Sequence, residues 1–179
     1  PTLMEINRQV GELIDKGNPV LWYKSHMIRG EEGQLTQEWK NYDLQGYSLS
    51  QGTVERRPKY EVNSLNGWPG VKFNTSSLKG TDLGNGDYTL LALYKGEENP
   101  TVTYPRLISG GIPEGQDYIN GIQLLPTLNT NNLQIATVDV ARMNYASRDF
   151  NSITIGSSYK NPLGSNFKGS IYEVIILKG

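Results

Sequence analysis

The chain has 179 residues, enough for one domain with a substantial core, and its seventeen Lys and Arg against eighteen Asp and Glu leave a formal net charge of −1. The basic residues occur singly or in pairs along the sequence, so no electrostatic footprint for a nucleic-acid partner is expected. With no cysteine, disulfides, thiolate catalysis and cysteine metal sites are excluded, and no apolar run approaches a membrane span, so membrane insertion is not expected.

The first eighteen residues stand apart. Leu3, Ile6, Val10 and Leu13 are spaced three, four and three, the a/d rhythm of about two heptads. Gly17-Asn18-Pro19 then stops the helix. Residues 1–18 therefore read as a short N-terminal helix or linker. Such a helix can pack on its own domain or associate with copies of itself into a homo-oligomer; Gly11 in its middle works against the second arrangement.

From Pro19 to Gly179 the rhythm changes to that of strands. Expected strands are 20–27, 47–50, 60–62, 70–73, 88–95, 107–109, 118–125, 133–140, 152–157 and 170–177. Turn signals separate them: Gly and Pro supply twenty-nine residues, and Asn66-Gly67, Asn85-Gly86 and Asn120-Gly121 tolerate the positive φ of tight turns. Many short strands without intervening helices predict an antiparallel sandwich or barrel. The almost unbroken apolar run of Ile171, Val174, Ile175, Ile176 and Leu177 predicts a final strand buried on both faces.

Four segments occur in a telling order. They are Leu21-Trp22-Tyr23; Glu38-Trp39-Lys40-Asn41; the stretch from Arg57-Pro58 through Leu65-Asn66-Gly67 to Val71-Lys72-Phe73; and Ile155-Gly156 with Phe167-Lys168-Gly169-Ser170-Ile171-Tyr172-Glu173-Val174. The order resembles concanavalin A-like lectin/glucanase domains, the laminin-G-like jelly rolls of phage tail, virion and bacterial surface proteins. The resemblance spans roughly residues 19–179 and implies an all-β fold: two antiparallel sheets in a jelly-roll sandwich, here preceded by the short helix. It also implies core positions for Trp22 and Trp39. The chain departs from the pattern at Tyr23-Lys24, where the family often carries an acid, and at Asn41, where it often carries Asp.

Catalysis leaves little trace. A glucanase of this fold needs paired carboxylates about 5–5.5 Å apart for retention, or wider for inversion. Residues i and i+2 of a strand share a face, yet Glu31-Glu32 and Glu97-Glu98 are adjacent pairs in loops and read as solvated charge. Glu173, inside the most apolar strand, reads either as a general acid or as a structural acceptor, and the resemblance implies the structural role. His26, the only histidine, has no serine motif around it. No catalytic residue is assigned, and an enzyme is not expected.

Asp82, Asn85 and Asp87 lack the spacing and terminal Glu of an EF-hand. Their segment reads as the approach to a hairpin, and the resemblance makes calcium a candidate ligand there. No metal residue is assigned. Asn74-Thr75-Ser76 fits a glycosylation acceptor.

Sugar binding uses rigid aromatic faces beside polar groups. Eleven tyrosines against three phenylalanines favour rings with one wet end, which is also the habit of strands. The loop candidates are Trp68, in a turn flanked by Pro and Gly; Tyr118, Tyr145 and Tyr159, each beside polar neighbours; and Arg148, near Tyr145 in a segment with no strand pattern. With the resemblance, these imply a non-catalytic carbohydrate-binding or adhesion domain on an extracellular or virion surface, its partner a cell-surface glycan. The alternatives are a structural virion or surface domain contacting protein and, less favoured, a glycoside hydrolase.

Overall fold

The computed structural model describes residues 19–42, 47–65, 67–80, 83–97, 105–112, 121–123, 139–158 and 165–178, together with Arg8 and Glu12. Eleven strands follow in chain order: β1 (Pro19–Lys24), β2 (Glu38–Trp39), β3 (Leu49–Ser50), β4 (Lys59–Leu65), β5 (Trp68–Phe73), β6 (Leu78–Gly80), β7 (Gly84–Gly96), β8 (Arg106–Ile112), β9 (Gly121–Gln123), β10 (Asp139–Ile155) and β11 (Gly169–Lys178). Two single 3-10 turns, Ser25–Met27 and Val54–Arg56, interrupt them. The expected all-β class is what the chain adopts. Of residues 1–18, expected as a helix, Arg8 and Glu12 alone are described, joined by an i,i+4 ion pair at 2.6 Å; the expected helix otherwise lies outside the described residues. No helix among the described residues is long and apolar enough to cross a membrane.

Every strand pairing is antiparallel, in the spatial order β2-β3-β6-β10-β7-β11-β5-β4, with β1 added to β11, β8 to β10 and β9 to β8. The register divides this network into two sheets that share β10. Residues 139–150 of β10 pair with β7, whereas Ile153, Thr154 and Ile155 pair with Gly80, Lys79 and Leu78 of β6 and with Gly110, Ser109 and Ile108 of β8. One sheet is therefore β10-β7-β11 with β1 and β5-β4 beyond. The other is β2-β3-β6-β10-β8-β9.

The main core lies between them. Leu49, Leu78, Leu107, Ile108, Ile153 and Ile155 of the second sheet pack with Leu21, Tyr23, Val71, Phe73, Leu90, Ala92, Tyr94, Ile171, Val174 and Ile176 of the first. Inner faces that interdigitate in this way define a β-sandwich. As its composition predicts, β11 is buried along nearly its whole length, with β7 on one side and β5 and β1 on the other. A second apolar cluster, Leu65, Leu91, Leu93, Tyr172, Ile175 and Leu177, with Trp22 and Trp68 against it, covers the opposite face of the first sheet.

Three sequence expectations change. Leu65 pairs with Trp68 across a two-residue connection, and Gly67 has φ 85°, so the hairpin at Asn66-Gly67 forms; its consequence is that Trp68 opens β5 and is not a loop residue. Asn85-Gly86 is no turn: both residues lie inside β7, opposite Asp149 and Arg148. The segment around Tyr145 and Arg148 is strand after all, because β10 runs unbroken through a polar stretch that lacks alternation. Pairing with β7 along that length supplies the backbone hydrogen bonds that side-chain pattern failed to signal.

Glycine is required where the sheets close. Gly156 has φ 88°, and a Cβ there would lie 2.4 Å from Phe73 Cδ1 and 2.9 Å from the Ser76 carbonyl oxygen. The Ile155-Gly156 step thus admits no other residue without displacing the buried Phe73 ring.

Candidate functional site

Alternation along β1 sends Leu21 and Tyr23 into the inter-sheet core and leaves Trp22 and Lys24 on the outer face of the first sheet. Residues 41–42 run beside them as a makeshift edge. The Trp22 amide donates to Asn41 Oδ1 at 2.7 Å, and the Tyr42 amide donates to the Trp22 carbonyl at 2.6 Å. Asn41 is buried by this role, which needs no charge at the position. Its effect is to hold Tyr42 against Trp22, edge to face with centroids 5.3 Å apart. The Lys24 ammonium lies 3.8 Å from the Trp22 centroid and 4.2 Å from that of Tyr42, within cation–π range of both rings.

Glu173 completes this corner. It stands opposite Lys24 on one side and Leu93 on the other, at a register shift in β11 that turns Tyr172 and Glu173 to the same face. Its carboxylate accepts the Trp22 Nε1–H, and only 8% of the residue is exposed. Burial pushes its pKa up, while the indole hydrogen bond and the Lys24 charge pull the other way. Among the described residues, no second carboxylate contributes to that shift. The structural role expected for Glu173 is the one this geometry describes.

Beyond Trp22 the face continues through Trp68, half-buried on the apolar cluster. The exposed His26 ring meets it edge-on at 5.2 Å. Burial and the Lys24 charge lower the pKa of His26, which keeps the imidazole neutral to lower pH than an ordinary histidine. Next to Trp68 lies a polar network: Tyr172 and Ser64 share a hydrogen bond at 3.0 Å, while Ser64 and Ser170 donate to Glu61 Oε1 at 3.2 and 2.5 Å. Gly70 leaves a gap between them, since a Cβ there would press on Ser64 and Tyr172 at 3.0 Å.

The arrangement offers half-exposed aromatic rings, hydroxyl groups and the carboxylates of Glu61 and Glu173 on a sheet face. A cleft of about 190 Å³ bounded by Met27, Ile28, Glu38, Trp39 and Lys40 is smaller than the roughly 300–1,000 Å³ of sites that engulf small molecules. Among the described residues no three His, Asp or Glu side chains gather as a metal site. Asn85 and Asp87 share one face of β7, and Asp82 lies outside the described residues.

Of the five residues expected to bind sugar, Trp68 belongs to this face. Tyr118 and Tyr159 lie outside the described residues. Tyr145 stands opposite Tyr88 and Arg148 opposite Gly86 on β10, with β7 and β11 between them and the Trp68 strand. The register therefore does not bring Tyr145 and Arg148 beside Trp68. Trp22, expected in the core, is instead half-exposed, whereas Trp39 is fully buried as expected. The alternation Leu21-Trp22-Tyr23-Lys24 carries the signal for Trp22 and Lys24; nothing local marks Tyr42. No protein family model, curated protein or solved structure matches this chain.

Proposed function

We propose that this chain is a non-catalytic carbohydrate-binding domain, a concanavalin A-like jelly roll displayed on the exterior of a virion or a bacterial surface, with a cell-surface glycan as partner. The observation that carries the reading is the Trp22–Tyr42–Lys24 corner, where hydrogen bonds from the Trp22 amide to the Asn41 side chain and from the Tyr42 amide to the Trp22 carbonyl hold two rings that stay half-exposed beside polar groups. Rings fixed in this way lose little entropy when a sugar stacks on them. The hydrogen bond from the Trp22 indole to the buried Glu173 carboxylate supports a structural role for that acid within a binding face.

A shallow site of this kind binds weakly, and copies joined through residues 1–18 would raise its avidity. The test is a glycan array probed with and without calcium, followed by titration of the best ligand against Trp22→Ala and Tyr42→Ala. Each variant is expected to weaken binding about tenfold, the scale of one lost aromatic contact, while calcium removal leaves binding intact. Silence across the array, or binding untouched by both variants, would overturn the reading and leave a structural, protein-contacting domain in its place.

A further inference from the structure

The lysines that look scattered in the sequence are gathered by sheet register. Lys72 lies between Val71 and Phe73, both in the inter-sheet core, so its own side chain belongs to the outer face. Across β4 it stands opposite Lys59; across β11 it stands opposite Ser170, and Ser170 in turn stands opposite Lys95 of β7. The order Lys59–Lys72–Ser170–Lys95 is thus one straight row over four adjacent strands. At roughly 4.8 Å per strand it extends about 14 Å. Lys168, two residues before Ser170, joins it: the charges of Lys168 and Lys95 both act on the Lys72 ammonium, and burial together with those charges lowers its pKa.

Among the described residues, two carboxylates answer these four cations. Glu97 pairs with Lys72, and Glu61 acts on Lys72 while bonded to the Ser64 and Ser170 hydroxyls. The row keeps a net excess of positive charge in a chain whose overall charge is −1. Like charges directly opposite on a sheet destabilise it, and the Lys59–Lys72 register is such a pair. An external anion lying along the row relieves that repulsion.

The row also adjoins the aromatic face. Glu61, one register step from Lys59, reaches the Ser64–Tyr172 network, and Trp68 lies on the same strand as Lys72. We propose that the glycan bound by this domain is acidic, a linear polysaccharide bearing carboxylate or sulfate groups, with its charges along Lys59, Lys72, Lys95 and Lys168 and its rings toward Trp68. The proposal rests on the carbohydrate-binding reading above and adds the charge class of the ligand.

The experiment is affinity measurement of the full chain against three immobilised polymers: a sulfated glycosaminoglycan, a polyuronate and a neutral glucan. Salt is varied from roughly 50 to 200 mM, a range over which contacts made by lysine to a polyanion weaken, and single-stranded DNA serves as a polyanion without sugar-ring faces. The expected result is tighter binding to one or both acidic polymers, a steep loss with salt, and a further loss of about tenfold in K72Q/K95Q. Preference for the sulfated or the carboxylated polymer identifies the anion. Neutral glucan bound as well as the acidic polymers would overturn the charge assignment and keep the lectin reading; no binding to any polysaccharide would overturn both. DNA bound as tightly, with the same sensitivity to K72Q/K95Q, would replace the acidic glycan with unspecific polyanion binding. Circular dichroism of the variant excludes unfolding as the cause, and K72R/K95R, which keeps the charge, should retain binding.

Discussion

Glu173 is the sharpest place to test the physical description of the outer face. Glu173→Gln keeps an oxygen that accepts the Trp22 Nε1–H, so the hydrogen bond, worth about 1 kcal/mol net, survives and the buried charge disappears. Glu173→Leu removes the acceptor as well, and leaving the half-buried indole N–H without a partner costs about 1–3 kcal/mol. The two variants should therefore differ by that amount in urea denaturation at any one pH. The pH dependence is the finer test. Burial raises the folded-state pKa above the unfolded value of 4.5, so the folded chain holds this proton more tightly than the unfolded one. The contribution of Glu173 to stability is then greatest below pH 4.5, falls as pH rises through the folded pKa, and stays low above it. Each unit of upward shift corresponds to about 1.4 kcal/mol. Glu173→Gln has no proton to lose, so its stability relative to the parent should rise as pH climbs above 4.5 and level off once pH passes the raised folded-state pKa. A parent that gains stability over Glu173→Gln as pH rises through that window would refute the assignment of burial as the dominant influence.

Two further predictions bear on the fold. Gly156→Ala places a methyl 2.4 Å from the Phe73 ring at φ 88°, and strain plus overpacking should cost about 2–4 kcal/mol. Gly33→Ala, at φ 76° with nothing within 4 Å, should cost only about 1 kcal/mol; equal losses in urea titration would show that Phe73 yields freely. In a spectrophotometric titration, Tyr23, Tyr60 and Tyr172 should ionise after the exposed tyrosines, because burial raises all three. Ionisation of every tyrosine at the ordinary pKa of 10.0, without loss of fold, would contradict that burial.

Legibility followed the range of the signal. The strand-rich class, the Asn66-Gly67 hairpin and the doubly buried final strand were readable because each is local: composition, one dipeptide, one apolar run. The middle of β10 was not, since its polar residues are held as strand by β7 rather than by alternation of their own. Trp68 was misplaced for the opposite reason. The turn at Asn66-Gly67 holds, but the strand begins at once after Gly67, two residues ahead of the expected start at Gly70. Arg148 and Tyr145, expected as loop neighbours, share β10 and lie away from the Trp68 strand.

Composition and contacts a few residues long are enough to dictate an antiparallel all-β chain that closes on a buried strand without disulfides; they do not dictate strand length, since β7 and β10 run to 13 and 17 residues. Tertiary structure alone decided which side chains meet. Tyr42 reaches Trp22 through one backbone hydrogen bond, to the Trp22 carbonyl, and a second from the Trp22 amide to the Asn41 side chain, across nineteen residues and more. Lys59, Lys72 and Lys95, apart in the chain, become one row because register sets β4, β5, β11 and β7 side by side. Charge that is dispersed along a chain is free to concentrate on a sheet: strand spacing, not sequence separation, sets the distance over which those charges act.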